Sequence, residues 1–142
     1  AELRAFAATT RRPINFAGWL DAPFSHFDRG DLLVLPSTWE SYSYVVREAL
    51  HHGVPVLASD ILVHRDALGA GAYGALFPPG GAPGLARAME AAFADLDGLR
   101  AKARLGREAL LARYGGEAFW RELSAEFEAM AARDATPERK HS

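Results

Sequence analysis

Cysteine is absent from the 142 residues, which excludes a disulfide framework and thiol catalysis but identifies no compartment, so a reducing cytoplasm is only the default reading. No apolar stretch approaches the roughly 20 residues that a membrane-spanning helix needs. No signal-peptide pattern opens the chain. Net charge is only -2, with 16 basic and 18 acidic residues interspersed, so nothing points to nucleic acid. There is no internal repeat and no low-complexity segment. What remains is ordinary globular composition, 49% hydrophobic and 24% charged, with room for one domain. The chain starts at Ala1, and residues Ala1 to Thr9 read as the end of a helix, the look of a fragment. Asp134 to Ser142 is polar, contains Pro137 and reads as a frayed tail.

Between these ends, short apolar runs alternate with helical patterns. Ile14 to Gly18 reads as a strand after Arg11-Arg12-Pro13, and Ala22 to Arg29 as a short helix closed by Gly30-Asp31. Leu32-Leu33-Val34-Leu35 is a wholly apolar strand that stops at Pro36-Ser37. A helix then spans about Ser43 to His52 and ends at Gly53, a residue suited to a left-handed C-cap. Val54 to Ala58 is the next buried strand, with Pro55 at its start, where a missing donor is tolerated. A short helix over His64 to Leu68 leads through Gly69-Ala70-Gly71 to the strand Tyr73 to Phe77. Helical patterns follow over Pro83 to Ala94, Leu96 to Tyr114 and Glu117 to Ala132. In the last of these Phe119, Trp120, Leu123, Phe127 and Met130 form one apolar face. Solidly apolar strands alternating with helices predict an α/β fold, a parallel sheet covered by helices on both sides.

The chemistry gathers after Leu35. Glu40 stands at the turn and Glu48 lies in the helix, with seven residues between them. In open α/β sheets, ligands bind outside the carboxyl ends of the strands, and helix N-termini there favour anions. At about 100° per residue, Val45, Val46, Ala49 and Leu50 share an arc that faces the sheet. Arg47 and His51 lie opposite. Glu48 falls at the margin beside Tyr44 and His52, free to face a ligand along the sheet's edge. Ser43 suits an N-cap better than a nucleophile, since no His/Asp pairing supports it. Asp95-Leu96-Asp97 has a metal-binding spacing but sits between two helices, where aspartates cap. His51 and His52 point about 100° apart and make a poor metal pair.

From about Ile14 to Met130 the chain resembles the C-terminal half of the C-terminal domain of GT-B glycosyltransferases, and is most similar to glycosyltransferase family 4. The family pattern has a strand ending in Pro-Ser, then Glu-Gly-Phe-Gly, then Glu-Ala-Met-Ala-x-Gly-x-Pro-Val. Here it reads Pro36-Ser37, Glu40-Ser41-Tyr42-Ser43 and Glu48-Ala49-Leu50-His51-His52-Gly53-Val54-Pro55-Val56. Ala58-Ser59-Asp60, Gly74 to Gly80 and Arg100 to Gly106 also match.

The resemblance implies a retaining glycosyltransferase that takes its sugar from a nucleotide-diphosphate donor, with no protein nucleophile and no required metal or other cofactor. In polysaccharide biosynthesis the acceptor is a carbohydrate or a lipid-linked hydroxyl. Carried over, Glu48 accepts hydrogen bonds from the donor ribose. Glu40 is the catalytic carboxylate at the transferred sugar, and the backbone of Ser41, Tyr42, Ser43, Tyr44 and Val45 receives the sugar and diphosphate. Residues 1–133 then form part of the donor-binding domain, and an N-terminal acceptor domain of the same protein is the expected partner. Through that domain the protein sits in the cytoplasm or peripherally at the inner face of the membrane. The implied sheet is Rossmann-like, in the order 3-2-1-4-5-6, with Ile14 to Gly18 as strand 3, Leu32 to Leu35 as strand 4, and strands 1 and 2 supplied from upstream of Ala1.

Three departures stand out. Ser41 and Ser43 replace the glycines that flank the family's aromatic residue, and Leu62-Val63 replaces the Gly-Gly after Ser-Asp. The family's Arg…Lys segment that grips the diphosphate lies upstream of Ala1. The serines leave one other reading, a non-catalytic GT-B-like module that binds a nucleotide or a partner.

Overall fold

The computed structural model describes residues 2–10 and 13–134, with side-chain surroundings left open for most of 116–134. Three apolar segments form the sheet: β1 (Leu33–Leu35), β2 (Val56–Ser59) and β3 (Ala75–Phe77). They run parallel in the order β1-β2-β3, with Val34 opposite Leu57 and Ala58 opposite Leu76. Among the described residues five α-helices accompany them: α1 (Glu2–Thr9), α2 (Tyr44–His51), α3 (Leu62–Ala67), α4 (Ala82–Ala94) and α5 (Leu96–Asp134). This is the α/β parallel sheet that the alternation of strand and helix predicts, in the Rossmann-like arrangement that the resemblance implies.

Alternating side chains divide the core into two layers. Val56 and Ala58 of β2, with Leu33, Leu35 and Leu76 beside them, pack against Val46, Ala49 and Leu50 of α2, Ala67 of α3 and Ala103 of α5. Leu57 and Phe77 face the other way, with Leu32, Val34 and Ala75, onto Ala92 of α4 and Leu99 of α5. The central strand β2 is buried along its whole length, whereas β1 is only half-buried. Among the described residues nothing pairs with the outer edge of β1.

The turns follow their chemistry. Gly53 has φ of 70° after α2, its amide donates to Leu50 O and that of Val54 to Ala49 O, the paired bonds of a Schellman motif. The two helical patterns expected after Leu96 are both present within α5 and meet at Gly115, whose φ of 49° and ψ of 135° leave the helical region. The apolar face expected over Phe119 to Met130 lies outside the described side chains. Of the expected tail, Asp134 is the last residue of α5 and 135–142 lie outside the described residues.

Two expectations are corrected. Ile14 to Gly18 is not a strand: the segment is irregular and exposed, Ile14 at 48% and Phe16 at 38%. A strand needs a neighbour to complete its ladder, and none of the described residues pairs with it. Ala22 to Arg29 is not a helix beyond the single turn Pro23–His26. Local bonds compete there, Ser25 Oγ donating to Ala22 O and the Asp28 amide to Asp31 Oδ2. No helix among the described residues is long and apolar enough to cross a membrane.

Candidate functional site

The carboxyl ends of β1 and β2 are tied together by short polar side chains. Ser59 Oγ, at the end of β2, donates to the carbonyl of Ser37 in the turn after β1. Ser37 Oγ in turn donates to Glu40 Oε1 at 2.6 Å. The Pro-Ser turn therefore does more than stop the strand: it holds the Glu40 carboxylate outside the sheet's carboxyl edge. The second oxygen of Glu40 lies 3.3 Å from Nε2 of His64, a residue of α3 that is wholly buried. His64 is anchored through Nδ1, which lies 2.9 Å from Ser59 O. The Glu40 side chain stays 25% exposed, so it keeps a face toward solvent beyond these two contacts.

Sequence reasoning singled out Glu40 but not His64, which the fold brings beside it. Its signal lay in the spacing: His64, Ala67 and Leu68 fall at i, i+3 and i+4, the buried face of a short helix. A histidine on that face has to find partners for both nitrogens.

Ser41 is exposed, Tyr42 and Tyr44 are half-buried, and Ser43 is buried at the N-cap of α2. The Ser43 hydroxyl makes no capping hydrogen bond, contrary to the N-cap role expected of it, and Oγ is enclosed without a protein partner. The residue has φ of -100° and ψ of 66°, which turns the chain into the helix without the reach to the amides that a Ser cap makes. Neither Ser41 nor Ser43 has positive φ. Glycine is thus not needed at either position to shape this backbone.

In α2 the buried arc is Val46, Ala49 and Leu50. Val45, expected on the arc, is 43% exposed. Arg47, expected opposite it, is tucked in: its side chain is 12% exposed, lies 4.7 Å over the Tyr42 ring and pairs with Asp66 of α3 at 3.2 Å. Arg47 is held against the fold by Asp66 of α3 and by the Tyr42 ring rather than left to solvent opposite the arc. Glu48 is half-buried on the second turn of α2. Burial, the neighbouring His52 and Arg107 hold the His51 imidazole below its ordinary value, while Glu48 pulls the other way. The rings of His51 and His52 meet edge to face, and His52 stacks on Phe24.

Beside the loop opens a cleft of about 350 Å³, lined by Tyr42, Ser43, Arg47, Leu62, Val63 and Asp66. The Leu62-Val63 pair that departs from the family pattern thus forms one wall of this cleft. At the far end of the sheet's helical layer, Asp95 accepts from the Gly98 amide and Asp97 pairs with Arg100, so both aspartates serve the start of α5.

Comparison with known proteins bears on the family and the fold. The family model for glycosyl transferases group 1 matches residues 1–95. An uncharacterized 41.2 kDa protein in the cps region of Klebsiella pneumoniae is 32% identical over 73 residues, 50% of this chain and 20% of that protein. Sucrose-phosphate synthase from Thermosynechococcus elongatus superposes with a TM-score of 0.56 and 29% identity, over 72% of this chain and 26% of its own. The chain therefore spans about a fifth to a quarter of the proteins it matches. The match over residues 1–95, about two thirds of the chain, together with a parallel sheet flanked by helices, places this chain in the group 1 glycosyltransferases.

Proposed function

We propose that the full-length protein is a retaining glycosyltransferase and that residues 1–133 form part of its donor-binding domain, the C-terminal half of a GT-B C-terminal domain. The donor is a sugar linked to a nucleoside diphosphate, and the acceptor is a carbohydrate or lipid-linked hydroxyl presented by another domain of the same protein. The work is done in the cytoplasm or at the inner face of the membrane. The observation that carries the reading is Glu40, fixed by Ser37 at the carboxyl end of β1 next to a helix N-terminus that no side chain caps.

Each group then has a task. Backbone amides from Ser41 to Val45, with the positive end of α2 behind them, meet the diphosphate and sugar hydroxyls. Glu48, an acceptor-only carboxylate, suits the vicinal diol of the ribose. As the anomeric C–O bond to the diphosphate breaks, positive charge grows on the sugar ring, and the Glu40 carboxylate stabilises it. The acceptor oxygen bonds to the anomeric carbon from the face that the diphosphate leaves. Its proton passes to the departing phosphate oxygen. No protein nucleophile and no metal enters this sequence.

A non-catalytic module was the other reading, and the two serines were its support. Both adopt ordinary negative φ, so their presence costs the loop no backbone strain. Transfer decides between the readings. Full-length protein incubated with labelled UDP-glucose, GDP-mannose or ADP-glucose is expected to release or transfer sugar from one of them, and Glu40→Gln to lower kcat more than nucleotide affinity. Nucleotide binding with neither transfer nor hydrolysis would favour the non-catalytic module.

A further inference from the structure

Among the described residues, three buried side-chain atoms lack a hydrogen-bond partner: Ser43 Oγ, Arg47 Nε and His64 Nε2. The histidine carries the most information, because the role of its other nitrogen is fixed. Nδ1 lies 2.9 Å from the carbonyl oxygen of Ser59, which can only accept. Ser59 Oγ, 3.2 Å from the same nitrogen, spends its own hydrogen on Ser37 O. Nδ1 therefore carries a hydrogen in this ring, and the bond it makes sets what Nε2 can do.

Nε2 faces Oε2 of Glu40 at 3.3 Å, close enough for an ion pair but short of hydrogen-bond geometry as the side chains stand. Two lone pairs opposed at that distance, with the imidazole cut off from water, would repel. Because Nδ1 already carries a hydrogen, the contact is attractive only as an imidazolium–carboxylate pair, with hydrogens on both ring nitrogens and Glu40 ionised. Packing alone does not account for an imidazole here. A wholly buried polar ring costs stability unless both nitrogens are matched, and leucine or valine fills the same space without that demand.

We propose that His64 is a positioning residue for Glu40: through Nε2 it sets the direction in which the carboxylate faces the donor sugar. The inference rests on the reading of Glu40 as the carboxylate at that sugar. Ser37 holds Oε1 from the turn after β1, and His64 holds Oε2 from α3, so two separate elements fix one carboxylate plane. With one of them gone the group pivots on the other. Misorientation of a group that acts only as charge develops lowers turnover and leaves donor binding nearly intact.

Two substitutions at His64 separate this role from a structural one. The Asn side-chain amide reaches the place of Nδ1 and keeps the bond to Ser59 O, with nothing at Nε2. The Gln amide reaches the place of Nε2 and keeps a donor for Glu40, giving up the bond to Ser59. In the full-length protein, kcat and KM are measured for His64→Asn, His64→Gln and Glu40→Gln with whichever of UDP-glucose, GDP-mannose and ADP-glucose is turned over, alongside melting temperature. His64→Asn is expected to lower kcat about ten- to a hundredfold with KM within about twofold, and His64→Gln to recover most of that loss. Wild-type kcat in His64→Asn, with Glu40→Gln impaired, overturns the His64 role and leaves Glu40 standing. Equal losses in both His64 variants that follow melting temperature show a structural histidine and overturn it too. Wild-type kcat in Glu40→Gln overturns the Glu40 reading itself, and the His64 role with it.

Discussion

Glu48 and His51 show how two neighbouring residues of one helix answer to different physics. Glu48 lies outside the buried arc of Val46, Ala49 and Leu50, so its removal leaves the core of α2 intact. If it accepts hydrogen bonds from the ribose, Glu48→Ala in the full-length protein weakens nucleoside diphosphate binding by about 1.5–3 kcal/mol, the range for bonds to a charged group. Calorimetric titration reads this directly, and unchanged affinity in a folded variant would defeat the ribose assignment. His51, three residues on, answers to protonation. Its value in the fold is held below the ordinary 6.5, first by burial and then by His52 and Arg107. The unfolded chain therefore takes up the proton first as pH falls, and stability present above about 6.5 is lost on the way through the lower folded value. Arg107 Nε also donates to the carbonyl of His51 at 2.8 Å, so a charge on the ring appears next to a guanidinium that ties α5 to α2. His51→Gln is expected to lose less melting temperature than wild type between about pH 7.5 and pH 5.5. An equal or larger loss in the variant would place the acid sensitivity elsewhere.

At the scale of elements, the packing of α5 against α2 rests on Gly106. A Cβ there would lie 2.8 Å from Tyr73 Cβ and 2.9 Å from Leu50 Cδ2. Leu50 has some freedom at its tip, but Tyr73 Cβ is fixed to its own backbone and cannot give. Gly106→Val is therefore expected to lower stability by about 1–3 kcal/mol through overpacking, although glycine is itself a poor helix former. Gly84 in α4 is the matched control, since a Cβ there meets nothing within 4 Å. Gly84→Ala should stabilise by roughly 1 kcal/mol. Urea unfolding of both variants tests the pair, and a Gly106→Val midpoint at or above wild type would mean that the helices slide apart at no cost.

The same elements show what the sequence makes legible. The three strands of the sheet, the Gly53 cap and the bend near Gly115 are written in local pattern: apolar runs, glycine at left-handed positions, a break in helical periodicity. What misled were features decided by partners distant in sequence. Ile14 to Gly18 has the composition of a strand, but a strand exists only with a neighbour. Val45 is exposed and Arg47 is tucked in, the latter because Asp66 of α3, 19 residues later in the chain, and the Tyr42 ring hold its guanidinium. The site divides in the same way. Glu40 and the turn before it were visible as a contiguous motif, whereas His64 joins them only through the fold.

The whole molecule is governed by the open edge of its sheet. β1 is half-buried along its length while β2 is fully buried, and among the described residues only β2 pairs with β1. A parallel strand with Leu33, Val34 and Leu35 along an unpaired edge is a template for any other extended segment. The irregular segment before it adds to the exposed apolar surface: Ile14 is 48% exposed, Phe16 38% and Trp19 90%. In the sheet order that the family resemblance implies, two further strands would lie between β1 and Ile14 to Gly18 in the longer protein, and would give that segment the neighbour it lacks here. Two observations follow from that proposal. The 142-residue chain by itself is expected to self-associate, eluting larger than a monomer in size-exclusion chromatography with light scattering. The amides of Ile14 to Gly18 are expected to exchange hydrogen rapidly in this chain and slowly in the full-length protein, because only there does a ladder protect them. A stable monomer that binds donor with micromolar affinity, or equal exchange of these amides in both proteins, would mean that β1 is closed from within the chain and that the strand order has been assigned wrongly.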